Sequence, residues 1–301
     1  MQASRWIVRT YEIVTVFPAG PKGGNPAPIV VDADGMTDAD MRFVATETGH
    51  ESAFVFSSPP NSQQDVEFRF WVPNHEMEMC GHATVGAVWL LAQAGRLTGS
   101  RLDILTRSGP VQAIVHGLGK TDTHVEISQP VGRLESVDPA EASEIADVLG
   151  NSLSDLAPYP VLNAATSRIK TLVAMRSVAL LDSLKPKLDR IESLCERIGS
   201  TGLYPYAVQD GGQQIFDARQ FPKSSGYPED AATGIAATAL CFGLLECGLI
   251  EDVKRPIKVR QGRAMGRPSE ITVRLDPAAR DGVGCWLSGP VDRSYSQLGE
   301  I

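Results

Sequence analysis

The sequence predicts an α+β chain of two pseudo-symmetric domains, each a curled, mostly antiparallel sheet around one buried helix. Three observations lead there. Most apolar segments are short and rich in β-branched or aromatic residues, as strands are. Two longer segments, one in each half, are apolar nearly all round at helical spacing, and a helix without a polar face must be buried on every side. These two segments start about 150 residues apart in a chain of 301, and that length favours about two domains.

In the first half, Thr10–Phe17 alternates around Ile13, Val14 and Val16, and Pro28–Val31 is a short apolar run. A helix is expected over Asp38–Thr48, with Thr37 as N-cap and Met41, Phe43 and Val44 as its apolar face. Strands are expected at Ala53–Ser57, Val66–Val72, Leu102–Arg107 and Val125–Ser128. The first all-apolar helix runs from about His82 to Ala94, through Ala83, Val85, Ala87, Val88, Trp89, Leu90, Leu91 and Ala92. The second half repeats the plan. Strands are expected at Arg168–Met175, Tyr204–Val208, Gln214–Phe221, Ile257–Arg260, Glu270–Leu275 and Gly284–Leu287. The second all-apolar helix is Thr233–Cys247, closed by Gly248 as a C′ residue. Helices near 140–149 and 187–198 read as amphipathic and peripheral. Gly117, Gly119, Pro130 and Gly132 punctuate a boundary. The domains are therefore expected as 1–125 and 126–289, with a segment of about 290–301 returning to the first.

Composition narrows the function. A net charge of -8 suits neither nucleic acid nor an anionic membrane surface, so neither is expected as a partner. No run of about 18 apolar residues predicts a membrane span, and Met1 to Trp6 does not read as a signal peptide. The five cysteines form no CxxC pair, which predicts reduced thiols and a cytoplasmic setting. Cysteines and histidines show no spaced ligand pairs, so no metal is expected. There is no phosphate loop, no GxGxxG after a strand and no GxSxG elbow.

Two small-residue motifs open the apolar helices: Glu78-Met79-Cys80-Gly81-His82-Ala83-Thr84-Val85-Gly86 and Pro228-Glu229-Asp230-Ala231-Ala232-Thr233-Gly234-Ile235-Ala236. Helix N-termini offer unpaired N–H groups and partial positive charge, and small residues admit a ligand close to them. Such ends can seat a carboxylate, or these residues simply cap two helices. Glu51 lies between a helix and an apolar strand. Partial burial there would raise its pKa toward the range of a general acid/base; the plainer reading is a solvated loop carboxylate. His82 reads equally as a substrate-facing donor or a satisfied first-turn histidine. Asp230 reads as an N-cap or as a substrate-facing acid. Cys80 reads as small packing in preference to a thiolate.

Taken in order, Gly24-Asn25-Pro26, Asp32-Ala33-Asp34, Glu51-Ser52-Ala53-Phe54-Val55, Gly81-His82-Ala83-Thr84-Val85-Gly86, Glu229-Asp230-Ala231-Ala232-Thr233-Gly234 and Gln261-Gly262 with Gly266-Arg267-Pro268-Ser269 resemble the PhzF-like isomerase family, related in fold to diaminopimelate epimerase. The resemblance spans nearly the whole chain. It implies two barrel-like domains with an active site in the cleft between them, a homodimer, and no metal or organic cofactor. It implies a small carboxylate-bearing substrate, with Glu51 shuttling a proton between two carbons as in the phenazine enzyme. His82 and Asp230 match the residues that hold substrate and assist, so Glu51, His82 and Asp230 are the expected catalytic set. Asn25, Gly81, Thr84, Thr233, Gly234 and Ile235 are the expected substrate lining. Two positions depart from the pattern: Ile235 stands where a serine is frequent, and His50 precedes the glutamate where the phenazine enzyme has a serine. Thiol racemases of this fold carry a cysteine at each motif; here the second motif has Asp230, and Cys241 and Cys247 lie turns further along the helix. The rival readings are a racemase or epimerase using Glu51 and a second group such as Asp230, and a non-catalytic binding protein on the same fold.

Overall fold

The computed structural model describes residues 10–276, 278, 282–293 and 298–300, the last three by backbone alone. The N-terminal residues read above for a leader, Met1 to Trp6, lie outside them. The chain divides into two compact units, Met1–Val16 with Pro26–Val125 and Val291–Ile301, and Phe17–Asn25 with Glu126–Pro290. The stretch 17–25 thus differs from the expected 1–125 domain. Its backbone is tied to the turn around Pro268: Ala19 N–H donates to the Pro268 carbonyl at 2.9 Å, and Gly24 N–H to Ser269 Oγ at 3.0 Å.

In the first unit, Ser52–Ser57 pairs in parallel with Asn25–Val30 and antiparallel with Val66–Trp71. Val66–Trp71 continues in parallel to Arg101–Thr106, which folds back on Gly109–His116. Thr10–Val16 pairs antiparallel with Val291–Asp292 and Leu298–Glu300, so the chain's last strands return to this unit. Helix α1 (Asp38–Thr48) starts at a capping box, where Thr37 Oγ1 accepts from Asp40 N–H and the Asp40 carboxylate accepts from Thr37 N–H. It ends at left-handed Gly49. Met41, Val44 and Ala45 enter a core with Phe54 and Trp71, whereas Phe43, expected on that face, is 51% exposed.

Helix α2 (Gly81–Gln93) has eleven of its thirteen residues buried, Trp89 and Gln93 being the exceptions. Gly86 permits that burial. A Cβ there would stand 3.0 Å from methyls of Val14 and Val16 and 3.2 Å from Ile29, so the sheet closes directly on the helix backbone.

The second unit is also a mixed, mostly antiparallel sheet. Lys170–Ala174 runs parallel to Gly202–Asp210 and Ile215–Ala218 parallel to Ile257–Gln261. The antiparallel run Ile257–Gln261, Ser269–Leu275, Val283–Ser288 and His124–Pro130 completes one side. Helices α3 (Pro139–Val148), α4 (Val178–Ser183) and α5 (Leu188–Arg197) cover a separate core that includes Ile145, Leu181, Ile191, Leu194, Val173 and Leu203. Helix α6 (Gly234–Glu246) buries all but Phe242, Leu245 and Glu246. The Phe242 ring lies on the backbone at Gly132, where a Cβ would meet it at 2.3 Å.

The expected strand Gln214–Phe221 is two strands, Ile215–Ala218 and Phe221–Pro222. Gln214 has positive φ, and the chain breaks at Arg219–Gln220, so that Gln220 can bridge to Asp230. No helix among the described residues is long and apolar enough to cross a membrane.

Candidate active site

The first unit gathers Glu51, Cys80 and His82. Glu51 follows the α1 C-cap region by two residues and directly precedes Ser52–Ser57, whose burial carries it inward; its side chain is 12% exposed. It is therefore not the solvated loop acid of the plainer reading. Cys80 is the N-cap of α2, and no side chain caps that helix end. His82, in the first turn, is 3% exposed. Cys80 Sγ donates to Glu51 Oε2 at 3.0 Å and lies 3.4 Å from His82 Nδ1, while His82 Nδ1 stands 3.7 Å from Glu51 Oε2. Cys80 is the residue that sequence reasoning placed in packing. Its signal was its position one residue before Gly81-His82, but only the fold shows its sulfur against the carboxylate. These three side chains also bring together oxygen, sulfur and nitrogen donors within 4.8 Å, a gathering that ligand spacing along the chain did not reveal.

Gly81 is buried at the opening of α2 and adds no side chain over the helix start. Thr84 is fully buried, and its hydroxyl donates to the Cys80 carbonyl at 2.7 Å. That bond lies within the first turn of the helix and uses the hydroxyl's proton, which leaves its oxygen as an acceptor.

The second unit gathers Asn25, Asp230, Thr233 and Gln261. Asn25 Nδ2 donates to Asp230 Oδ1 at 2.8 Å and to the Ala232 carbonyl at 3.1 Å. Thr233 Oγ1 donates to the other carboxylate oxygen of Asp230. Gln261 Nε2 donates to the Asp230 carbonyl at 2.7 Å and to Thr233 Oγ1 at 3.2 Å, and Gln261 Oε1 accepts from the buried Tyr204 hydroxyl at 3.0 Å. Burial pushes the Tyr204 phenol well above its ordinary range, so it stays a neutral donor. Each Asp230 oxygen thus receives a hydrogen bond from a neutral group, which fixes the orientation of the carboxylate.

Asp230 is not the helix N-cap; Thr233 is, and it offers no side-chain cap to α6. Gly234 lies against Leu287, where a Cβ would come within 2.6 Å, and Ile235 is 2% exposed. Gln261 and Tyr204 were missed as site residues. Gln261 had a signal in the Gln261-Gly262 motif; Tyr204 reads from sequence only as a strand aromatic.

Residues 14–283 match the family model described as phenazine biosynthesis-like protein, PhzC-PhzF. An uncharacterized isomerase of Deinococcus radiodurans is 32% identical over 278 residues, covering 88% of this chain and 86% of its own. The trans-2,3-dihydro-3-hydroxyanthranilate isomerase of Pseudomonas fluorescens is 25% identical over 285 residues, covering 94% and 96%. The Bacillus anthracis phenazine biosynthesis protein of the PhzF family shares the fold, with a TM-score of 0.84 at 24% identity over 98% of this chain and 99% of that one. With a family match over most of its length and a close curated relative across both halves, the chain belongs to the PhzF-like, phenazine biosynthesis-like protein family.

Proposed function

We propose that this protein is an isomerase that moves a proton between two carbons of a small carboxylic acid, without a cofactor, using Glu51 as the general acid/base. The observation that carries the reading is the cluster of Glu51, Cys80 and His82 at an α2 N-terminus with no side-chain cap. In the proposed step, the Glu51 carboxylate accepts a proton as a carbon–hydrogen bond breaks. The electron pair enters an adjoining double bond, whose far carbon then takes the proton back from the neutral acid. The Cys80 thiol, donating to Oε2, and His82 steady the Glu51 carboxylate before it takes the proton and after it gives it back. Because Glu51, Cys80 and His82 lie within one small cluster, they would serve one face of a substrate. Delivery and return on one face fit a moved double bond better than an inverted stereocentre.

Asp230 is given the part of holding and polarising the substrate, supported by its fixed orientation between Asn25 and Thr233. Asn25, Thr233, Gly234 and Ile235 would shape the lining beside it, and Gly81 the lining beside Glu51. The N-terminal N–H groups of α2, next to Glu51, suit the substrate carboxylate. The reading also carries a homodimer, from the family resemblance, and a cytoplasmic setting, from five cysteines that form no CxxC pair.

The test uses a panel of small unsaturated carboxylic acids that includes trans-2,3-dihydro-3-hydroxyanthranilate, in ordinary and heavy water. Conversion is followed by ultraviolet absorbance, deuterium uptake and chiral separation. Glu51→Gln is expected to fold normally and lose about 10²–10⁴-fold in kcat, because an amide cannot accept the proton. Wild-type turnover by this variant would remove Glu51 from the chemistry. Inversion of a stereocentre with no spectral change would replace isomerisation by epimerisation. Activity lost to a chelator and restored by a metal would end the cofactor-free reading.

A further inference from the structure

We propose that Glu51, Cys80 and His82 also form a binding site for a thiophilic divalent cation of the zinc type, and that a bound cation blocks the isomerase. The blocking half rests on the reading of Glu51 as the base; the binding half does not.

The donor atoms are a carboxylate oxygen, a thiol sulfur and an imidazole nitrogen, the set that zinc accepts and that calcium or magnesium does not. Their separations are 3.0 Å for Cys80 Sγ to Glu51 Oε2, 3.4 Å for Cys80 Sγ to His82 Nδ1 and 3.7 Å for His82 Nδ1 to Glu51 Oε2. A triangle with these sides has a circumscribed radius of about 2.0 Å, close to the length of a zinc bond to nitrogen or oxygen and slightly below that to sulfur. A zinc ion therefore fits just off the plane of the three atoms, in the position of a tetrahedral metal with three protein ligands. Its fourth position faces away from them and is left for water or a substrate oxygen.

Two of the ligands are placed by a single helix start, and the third by the buried strand Ser52–Ser57 beside it, so little ordering remains to be done on binding. Among the described residues this is the one group in which three such ligands gather. Binding requires the Cys80 thiol to give its proton to solvent and His82 to present an unprotonated Nδ1, while Glu51 enters as the carboxylate. The ion then occupies the lone pairs that would take the substrate's proton. Zinc is thus an inhibitor of this site, consistent with a reaction that needs no metal.

The experiment uses the full-length, chelator-stripped protein and cobalt(II) as the spectroscopic probe, followed by displacement with zinc. The expected result is a near-ultraviolet thiolate-to-cobalt charge-transfer band with the visible bands of a four-coordinate ion, saturating at one ion per chain and lost when zinc is added. Cys80→Ser, with an unchanged circular dichroism spectrum, should lose the charge-transfer band and bind zinc at least about 10-fold more weakly. Cys247→Ser, which removes a partly buried thiol elsewhere, should keep the band. Absence of the band in the folded wild type, or its survival in Cys80→Ser, overturns the site. Zinc that binds with these signatures yet leaves turnover untouched overturns the blocking half and the role of Glu51 together. Loss of turnover in Glu51→Gln without any cobalt band sinks the metal site alone.

Discussion

Glu76→Gln tests how the chain is anchored just ahead of α2. Glu76 lies in the short strand Glu76–Met77, three residues before Met79-Cys80, and its side chain is 11% exposed. Arg69 Nε donates to its Oε1 at 2.6 Å and Arg69 Nη2 to its Oε2 at 2.8 Å, a two-pronged pair, and Arg107 Nη1 adds a bond at 2.7 Å. Glutamine keeps the shape but removes the charge and turns an amide N–H₂ toward the guanidinium donors. The Arg107 bond, on a half-exposed side chain, contributes about 0–1 kcal/mol. The paired bonds to the better-buried Arg69 contribute about 1.5–3 kcal/mol. The variant should therefore lose about 2–3 kcal/mol near pH 7, or roughly 3–5 °C in Tm.

The pH dependence separates charge from shape. The Arg69 hydrogen bonds hold the Glu76 carboxyl below its ordinary value of 4.5, with burial opposing them in part. A depressed folded value means the stabilisation is present above the unfolded value and is lost as pH falls through the folded one. The gap between wild type and variant should be full at neutral pH and close progressively below about 4.5. Urea unfolding followed by circular dichroism at about pH 7 and about pH 3.5 measures it. An equal loss at both values, or none at neutral pH, would refute the charge-based account.

Asp217 makes the opposite forecast. Its carboxyl is buried and, although Arg263 Nη1 lies 3.0 Å from Oδ2, neither oxygen has a hydrogen-bond partner. Burial pushes its pKa up and outweighs Arg263. A raised folded value favours folding below the unfolded value and loses that benefit as pH rises, so Asp217→Asn should gain about 1 kcal/mol near neutral pH and nothing in acid. A lower Tm for the variant at pH 7 would show that the Arg263 pair prevails. Gly262→Ala should cost about 2–4 kcal/mol, because φ is +78° and the new Cβ would sit 2.2 Å from the Arg267 carbonyl oxygen and 2.8 Å from that of Ala231. It should also weaken substrate binding, since Gln261 next door holds Asp230 and Thr233. An unchanged urea midpoint would count against the steric argument.

Much of the local structure is legible in the sequence. The Thr37 cap, the following apolar spacing and Gly49 mark the bounds of α1 through interactions that reach only three or four residues along the chain. The apolar runs of α2 and α6 were equally plain. Other elements escaped, among them α4, which has six residues, too few for a periodic pattern, and the eight-residue strand Gly109–His116, although its buried Val111, Ala113 and Val115 do alternate. Phe43 misled, because an apolar residue on a helix surface looks the same in sequence as one in a core.

Glu51, His82 and Asp230 stood out as candidates by the motifs around them, yet the place of Cys80 beside Gly81-His82 did not separate it from packing. The sequence by itself determined the α+β class, the two buried helices, the family resemblance and the residue types available for proton chemistry, because these follow from periodicity and motif order. Tertiary structure alone decided which groups meet. Cys80 touches a carboxylate 29 residues away and Asn25 one 205 residues away. Such contacts are set by how strands close on the helices, a cooperative packing outcome that no window along the chain contains.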